Sequence, residues 1–328
     1  MLCPFEKVKG VQAIRTYREK PMELKYLDVL VRRAIAEEKV KQEWRMKLAQ
    51  LKAGYFGERR VDNEWREVNI QGGVLLHDFT CRNSAGNTHQ IDSVFICKHF
   101  ILVIEIKNVG GRIDFDDKRR QFLRTTEDGR VESFNNPIDQ VKRHRDLFIE
   151  ASLDWPFYVP VEAFVVIANP YTVIGRVSNE VPVFNVSGLR TKIGELMKKH
   201  AAVNVNVRML RSFVEQMYEP VKRQFTCDFP IRSGALCLQC NEVLQHVSRG
   251  FKCPRCGWRD LTGVALRNAM LDYRILYGDR ITNHAFREFV GVSNIYTANH
   301  MLNKLFTGTE GKNKGRKYII PPNIEKEV

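Results

Sequence analysis

The chain has 328 residues, enough for two or three domains with a sizeable core. Apolar residues make up 44% and charged residues 27%, which excludes a disordered chain, and no apolar run is long enough for a membrane span. A formal charge of +14 favours a polyanionic partner, most simply nucleic acid.

The first residues (MLCPFEKVKG) lack the apolar core and cleavage site of a secretory signal. Of eight cysteines, four fall in paired CxxC spacing, which points to metal binding in a reducing compartment and so to the cytoplasm. Cys3, Cys81, Cys97 and Cys227 show no pairing pattern and read as buried or surface thiols.

Residues 22 to 53 are charged and helical in pattern, with Leu24, Leu27, Leu30 and Val31 as the apolar stripe. A helix continues or restarts after Gly54, where Val61, Trp65 and Val68 follow helical spacing and Glu58 falls on the same inward face. The bland alternative is that Glu58 sits near a helix N-terminus and favours its dipole.

Val74 to Thr80 reads as a first strand. The stretches His89–Cys97 and Ile101–Asn108 read as two more, divided by Lys98-His99. If those two residues form the loop, Cys97 faces Phe100 and Asp92 faces Glu105. Alternation then gives Glu105 and Lys107 one face and Leu102, Ile104 and Ile106 the other. Opposed carboxylates about 5 Å apart at Cβ repel unless a cation lies between them. Magnesium, which takes carboxylate oxygens and keeps several waters, is the natural candidate, and this is the chemistry of metal-assisted phosphodiester hydrolysis. The alternative is an exposed strand edge carrying a salt-bridged pair. His77, His89 and His99 read as turn or surface residues rather than ligands.

A turn-rich stretch follows from Asn108 to Asp117. Asn136-Pro137 then opens a helix, with Asn as cap and Pro at the first helical position, that aligns Gln140, His144 and Leu147. Val161–Ala168 is apolar enough for a central strand and Val181–Val186 reads as another. Helices are expected over 188–200 and 206–224, and a linker over 226–236.

The run Gly54-Tyr55-Phe56-Gly57-Glu58, then Gln90-Ile91-Asp92, Glu105-Ile106-Lys107-Asn108 with Gly110-Gly111, and Asn136-Pro137 with Gln140 resembles the nuclease-related domain (NERD). That domain is itself similar to the PD-(D/E)xK restriction-endonuclease-like superfamily. The resemblance spans about residues 50 to 190 and rests on the order and spacing of motifs that are each short. It implies an α/β fold with a restriction-endonuclease-like mixed sheet flanked by helices, and a metal-dependent endodeoxyribonuclease. Asp92 and Glu105 would hold Mg²⁺, and Lys107 would orient the attacking water or offset phosphorane charge. Glu58 would complete the metal shell or hold a metal-bound water, and Gln140 would steady substrate or Lys107. Such domains also keep the fold and bind nucleic acid without cutting it, so a non-catalytic DNA-binding or regulatory protein is the alternative.

Cys237-Leu-Gln-Cys240 and Cys253-Pro-Arg-Cys256 supply four thiolates in the spacing of a closed Cys₄ structural Zn²⁺ site. Gly257 lets backbone amides turn toward the sulfurs, and the residues between the knuckles suit a small hairpin. The expected element is a zinc ribbon whose folding depends on metal.

Residues 261 to 320 read as three helices and a hairpin. Leu266, Met270 and Ile275 face inward from the first helix, and Phe286, Phe289 and Val290 from the second. Asn294 caps the third, which contains Ala298, Met301, Leu302 and Leu305. A basic glycine-rich loop precedes Lys317-Tyr318-Ile319-Ile320. This resembles a winged helix-turn-helix, with a turn at Gly291-Val292-Ser293 that departs by one residue from the commonest register. The resemblance implies that Tyr296, Thr297, Asn299, His300 and Asn303 face bases, while Lys312, Lys314, Arg316 and Lys317 meet phosphates. A winged helix used for protein contact is the alternative.

The expected organisation is a helical extension over 1–53, the nuclease-like domain over 54–200, a connecting helix over 201–226, the ribbon over 227–260 and the winged-helix-like module over 261–328. DNA is the expected partner, and nothing in the residues sets an oligomeric state.

Overall fold

The computed structural model describes residues 17–68, 70, 72–203, 205–221, 225–248, 250–261, 263–322 and 324. Cys3, the start of the expected N-terminal extension and the Lys314 side chain lie outside the described residues. Among the described residues two helices come first, α1 (Met22–Arg33) and α2 (Glu38–Glu64). The chain divides into two compact units, Met1–Glu19 with Lys52–Lys222 and Lys20–Leu51 with Arg223–Val328, so α2 contributes residues to both. Gly54 does not interrupt α2, which runs unbroken to Glu64.

The first unit is a mixed α/β structure around a five-stranded sheet. Strands β1 (Val74–Arg82), β2 (Thr88–Ile96) and β3 (Ile101–Lys107) form an antiparallel meander. Strands β4 (Arg112–Asp116), β5 (Gln121–Thr125) and β6 (Val131–Phe134) follow. Next come α3 (Pro137–Ser152), β7 (Val161–Ile167), β8 (Val173–Ile174), β9 (Val183–Asn185), α4 (Leu189–Lys199) and α5 (Val207–Gln216). The order in the main sheet is β1-β2-β3-β7-β9, with β7 parallel to both neighbours. Its two faces carry separate cores, one including Val103, Val165 and Phe148, the other Val61, Leu102, Ile104 and Ile106. A run buried on both faces is why β7 lacks polar alternation.

The expected β2–β3 register holds, with Ser93 opposite Ile104 and Ile96 opposite Ile101. The expected turn-rich stretch is different: β4 lies within it and joins a second sheet ordered β6-β5-β4-β8. Its Ile113 and Phe115 are buried on one side of a short alternating strand, a pattern masked by the surrounding charges and glycines. Helix α5 ends at Gln216, earlier than expected.

In the second unit, α1 buries Leu24, Leu27 and Leu30, with Val29 rather than Val31 completing the stripe. Arg33 is buried there and pairs with Asp272 at 2.6 Å. The cysteine region carries a three-stranded sheet of β10 (Gln245–Val247), β11 (Gly250–Lys252) and β12 (Arg259–Asp260). Beyond it lie α6 (Val264–Tyr277), β13 (Arg280–Thr282), α7 (Asn283–Val290), α8 (Ile295–Leu305), β14 (Thr309–Glu310) and β15 (Lys317–Ile319). The last three strands pair in the order β13-β15-β14. Leu276, not the expected Ile275, is the buried residue at the end of α6. Asn294 caps α8 by accepting from the amides of Tyr296 and Thr297.

Candidate functional site

Asp92 occupies a break in the regular sheet. On β1 the residue facing it is Asp78, since His77 pairs with Ser93 and Phe79 with Ile91. On β3 the residue facing it is Glu105, one step beyond the Ser93–Ile104 pair. Three acids thus stand in a row across adjacent strands. Strict alternation fails here, because Leu76 and Phe79 on β1, like Ile91 and Val94 on β2, all enter the same core. Asp78 has φ +51°, a left-handed conformation that Asp tolerates better than most residues. The interruption frees strand hydrogen-bonding groups, and side chains replace the ladder. Asp92 Oδ2 accepts from the Ile106 amide at 2.7 Å, and the Asp92 carbonyl accepts from Arg18 at 3.0 Å.

Helix α2 brings Glu58 to this row. Its close approach depends on Gly57, where a Cβ would lie 2.4 Å from Asn108 Cβ at the end of β3. Asn108 in turn donates to the carbonyl of Ala53, tying strand end to helix. The Glu58 carboxylate meets Arg18 at 2.8 Å. Lys107 donates to Glu105 Oε1 at 2.6 Å and to Gln140 Oε1 at 3.3 Å, so α3 steadies the ammonium. All five residues expected at the site are therefore gathered by one local network.

Burial dominates the electrostatics. Glu105 is 1% exposed, and its Oε2 has no hydrogen-bond partner among the described residues. Burial, with Asp92 nearby, pushes the Glu105 carboxyl up to about 8 despite Lys107. Burial also pushes Glu58 up to about 8, outweighing the Arg18 ion pair, with Asp92 adding repulsion. Asp92 is raised by burial too, against the Ile106 amide and the Lys107 charge. Three acids that resist ionisation together, one with an orphaned oxygen, suit a divalent cation, which would offset their charge and accept that lone pair.

Several members of the network are not apparent from sequence. Arg18 donates from Nε to Asp62 at 3.0 Å and from Nη1 to Asp78 at 3.2 Å, and its Nη2 reaches Ser93 Oγ at 2.9 Å. His77 is buried on β1 rather than at a turn, lies 3.2 Å from Arg18, and is lowered to about 4 by burial. His89 also lies on a strand, its ring 5.6 Å from that of buried His144. His99 does lie in the β2–β3 turn and bonds the His200 carbonyl. Gln140, His89 and His144 line a polar cleft of about 730 Å³ together with Arg120, Phe134 and Arg143.

The four cysteines present a different geometry. Their Sγ atoms all lie within 4.8 Å of one another, with separations of 3.6 Å for Cys237–Cys256, 3.5 Å for Cys240–Cys253 and 3.7 Å for Cys240–Cys256. A tetrahedron with Zn–S bonds of about 2.3 Å has edges of about 3.8 Å, so the donor set fits zinc. Gly257 has φ +75° and its amide reaches the Cys253 carbonyl, closing the second knuckle. Among the described residues only these cysteines form so tight a set of potential ligands. The acids of the first unit are instead engaged with cations and amides of the protein.

On α8, Tyr296, His300 and Asn303 are exposed, while Thr297 and Asn299 are half-buried. Asn299 accepts from Asn283 at 2.7 Å and Asn303 accepts from Tyr318 at 3.2 Å, so both amides already have partners within the fold. Lys312, Arg316 and Lys317 are exposed.

A mixed sheet flanked by helices carries an acid row and a lysine at the end of its central strands. Residues 53–168 match the family model of NERD, the nuclease-related domain, and this stretch contains Glu58, Asp92, Glu105, Lys107 and Gln140. The match suggests a nuclease-like function and interaction with nucleic acid. No curated protein matches the chain. No helix among the described residues is long and apolar enough to cross a membrane.

Proposed function

We propose that the protein is a Mg²⁺-dependent nuclease that hydrolyses phosphodiester bonds in DNA. The observation that carries this reading is the orphaned Glu105 oxygen beside Asp92, with the Lys107 ammonium bridging Glu105 and Gln140. Asp92 and Glu105 would hold the ion. When bound, Mg²⁺ would polarise the scissile phosphate and lower the pKa of its water. Lys107, fixed from both sides, would orient the nucleophile and offset charge that develops on the phosphorane oxygens. Gln140 keeps Lys107 in place and lines the polar cleft, where Arg143 would supply positive charge for the strand while Arg120 is paired with Asp139 and Glu180.

The remaining parts serve substrate placement. The cysteine cluster is read as a structural zinc ribbon, and the three helices with the β13-β15-β14 sheet as a winged-helix module. Tyr296 and His300 are the exposed candidates for base contact and Lys312, Arg316 and Lys317 for phosphate contact, and Lys314, whose side chain lies outside the described residues, is kept with them from the sequence. The five-part organisation expected from sequence, with boundaries near residues 54, 201, 227 and 261, is retained as a proposal. So is a cytoplasmic location, which suits cysteines kept as thiolates for metal rather than disulfides.

The test is incubation of plasmid and linear duplex DNA with the intact protein and Mg²⁺, beside Asp92→Ala and Lys107→Ala. Cleavage that needs Mg²⁺ and is lost in both variants is expected. Cleavage surviving both substitutions defeats the site assignment, and DNA binding without cleavage by intact protein supports a regulatory role instead.

A further inference from the structure

Arg18 lies forty residues before Glu58, yet its side chain is wholly enclosed by the acid site. Its guanidinium binds the carboxylates of Glu58, Asp62 and Asp78 and also reaches the Asp92 carbonyl. This is an unusual place for a structural arginine, since burying a guanidinium is costly unless its donors are satisfied. Here Nε, Nη1 and Nη2 all find partners.

The geometry points to Arg18 as a resident cation that stands where a second divalent ion would otherwise sit, making this a one-metal site. The inference rests on the nuclease reading and deepens it. Glu58 is then a ligand of the arginine and not of the metal, and the ion is confined to the Asp92–Glu105 side. Among the described residues, Arg18 holds the carboxylates of Glu58, Asp62 and Asp78, while Lys107 holds Glu105 and the Ile106 amide holds Asp92. A fixed guanidinium also orients Glu58 by a charge-assisted hydrogen bond, which a hydrated metal does less rigidly. Arg18 is thus a positioning residue that sets metal stoichiometry.

The experiment is a calorimetric titration of Mn²⁺ into the full-length, zinc-loaded protein, with intact folding checked by circular dichroism. The intact protein should take up one Mn²⁺, lost in Asp92→Asn. Glu58→Gln, which keeps Arg18, should leave the Mn²⁺ Kd within about twofold, whereas loss of a true ligand costs about tenfold or more. Arg18→Ala should gain a second equivalent, removed again by adding Glu58→Gln. Two equivalents in the intact protein, a tenfold loss in Glu58→Gln, or a folded Arg18→Ala that still takes one ion would overturn the inference. If Arg18→Ala does not fold, the first two measurements decide. Failure of the nuclease reading looks different: the intact protein would then take up no Mn²⁺ sensitive to Asp92.

Discussion

The cysteine cluster of the second unit and the acid row of the first both crowd like-charged donors, but they do so with opposite resources. The thiols stand in a tetrahedral spacing with one another as nearest partners. The acids are already partnered by the protein, Glu58 by Arg18 and Glu105 by Lys107. A small site whose sulfurs are met by one another and by backbone amides, with no cation of its own among the described residues, would draw its folding energy from the ion. A site furnished with its own cations can fold first and bind the ion afterwards. Under the proposed function, that difference separates a structural centre from a reactive one.

The sharpest way to break the comparison is metal removal. Stripping zinc, or Cys253→Ser, should unfold the β10–β12 region, because apparent Zn²⁺ binding energies at such sites reach about 10 kcal/mol or more. Exchange protection of the Phe251 and Cys253 amides should vanish, while that of β3 and β7 persists. Removing Mg²⁺ should leave both units folded, with the β3 and β7 amides still protected.

A second prediction turns on pH. The Glu105 carboxyl is raised by burial to about 8 from 4.5 in an unfolded chain. A raised acid contributes stability that is present below the unfolded value and is lost as pH rises through the folded one. In Mg²⁺-free protein Glu105→Gln should therefore be the more stable form at pH of about 8 to 9, by roughly 1–3 kcal/mol in urea melts, while abolishing cleavage. A variant less stable than the parent at that pH would mean that the Lys107 pair outweighs burial.

Gly57 tests how the site is assembled. The clash of a new Cβ with Asn108 should make Gly57→Ala destabilising by about 1–3 kcal/mol, although alanine is the better helix former. The neighbouring Gly54, with open space around it, should accept alanine with a gain. Equal effects at the two positions would show that helix propensity alone governs.

The mildest effect is expected at the basic loop of the second unit. Replacing Lys312, Lys314 and Arg316 together should lower the salt slope of DNA binding by up to about 3. An unchanged slope in a filter-binding series at increasing salt would argue against a DNA-facing loop.

Much of this architecture is legible from local pattern. The CxxC pairs declare their chemistry by spacing alone, and the Lys98-His99 turn is enough to set Asp92 against Glu105. Asn136-Pro137 announces α3 because a cap and a proline at the first helical turn act within a few residues. Arg18 is not legible in this way, since its partners Asp62, Asp78 and Asp92 are brought to it only by the tertiary fold. Asp78 is hidden for a related reason. Its importance comes from φ +51° and a lapse in strand alternation, which a regular period-two reading smooths over. Strands β5 and β6 escape notice because they are short and carry little apolar alternation to mark them.

The central claim is that Asp92 and Glu105 converge on one divalent cation. The most direct measurement is the anomalous scattering of Mn²⁺ soaked into crystals of the zinc-loaded protein. The account predicts a peak in contact with both carboxylates, at about 2.1 Å from their oxygens, with Lys107 alongside. Anomalous signal confined to the cysteine cluster, or an acid row that stays closed around Arg18 and Lys107 with no ion bound, would contradict it.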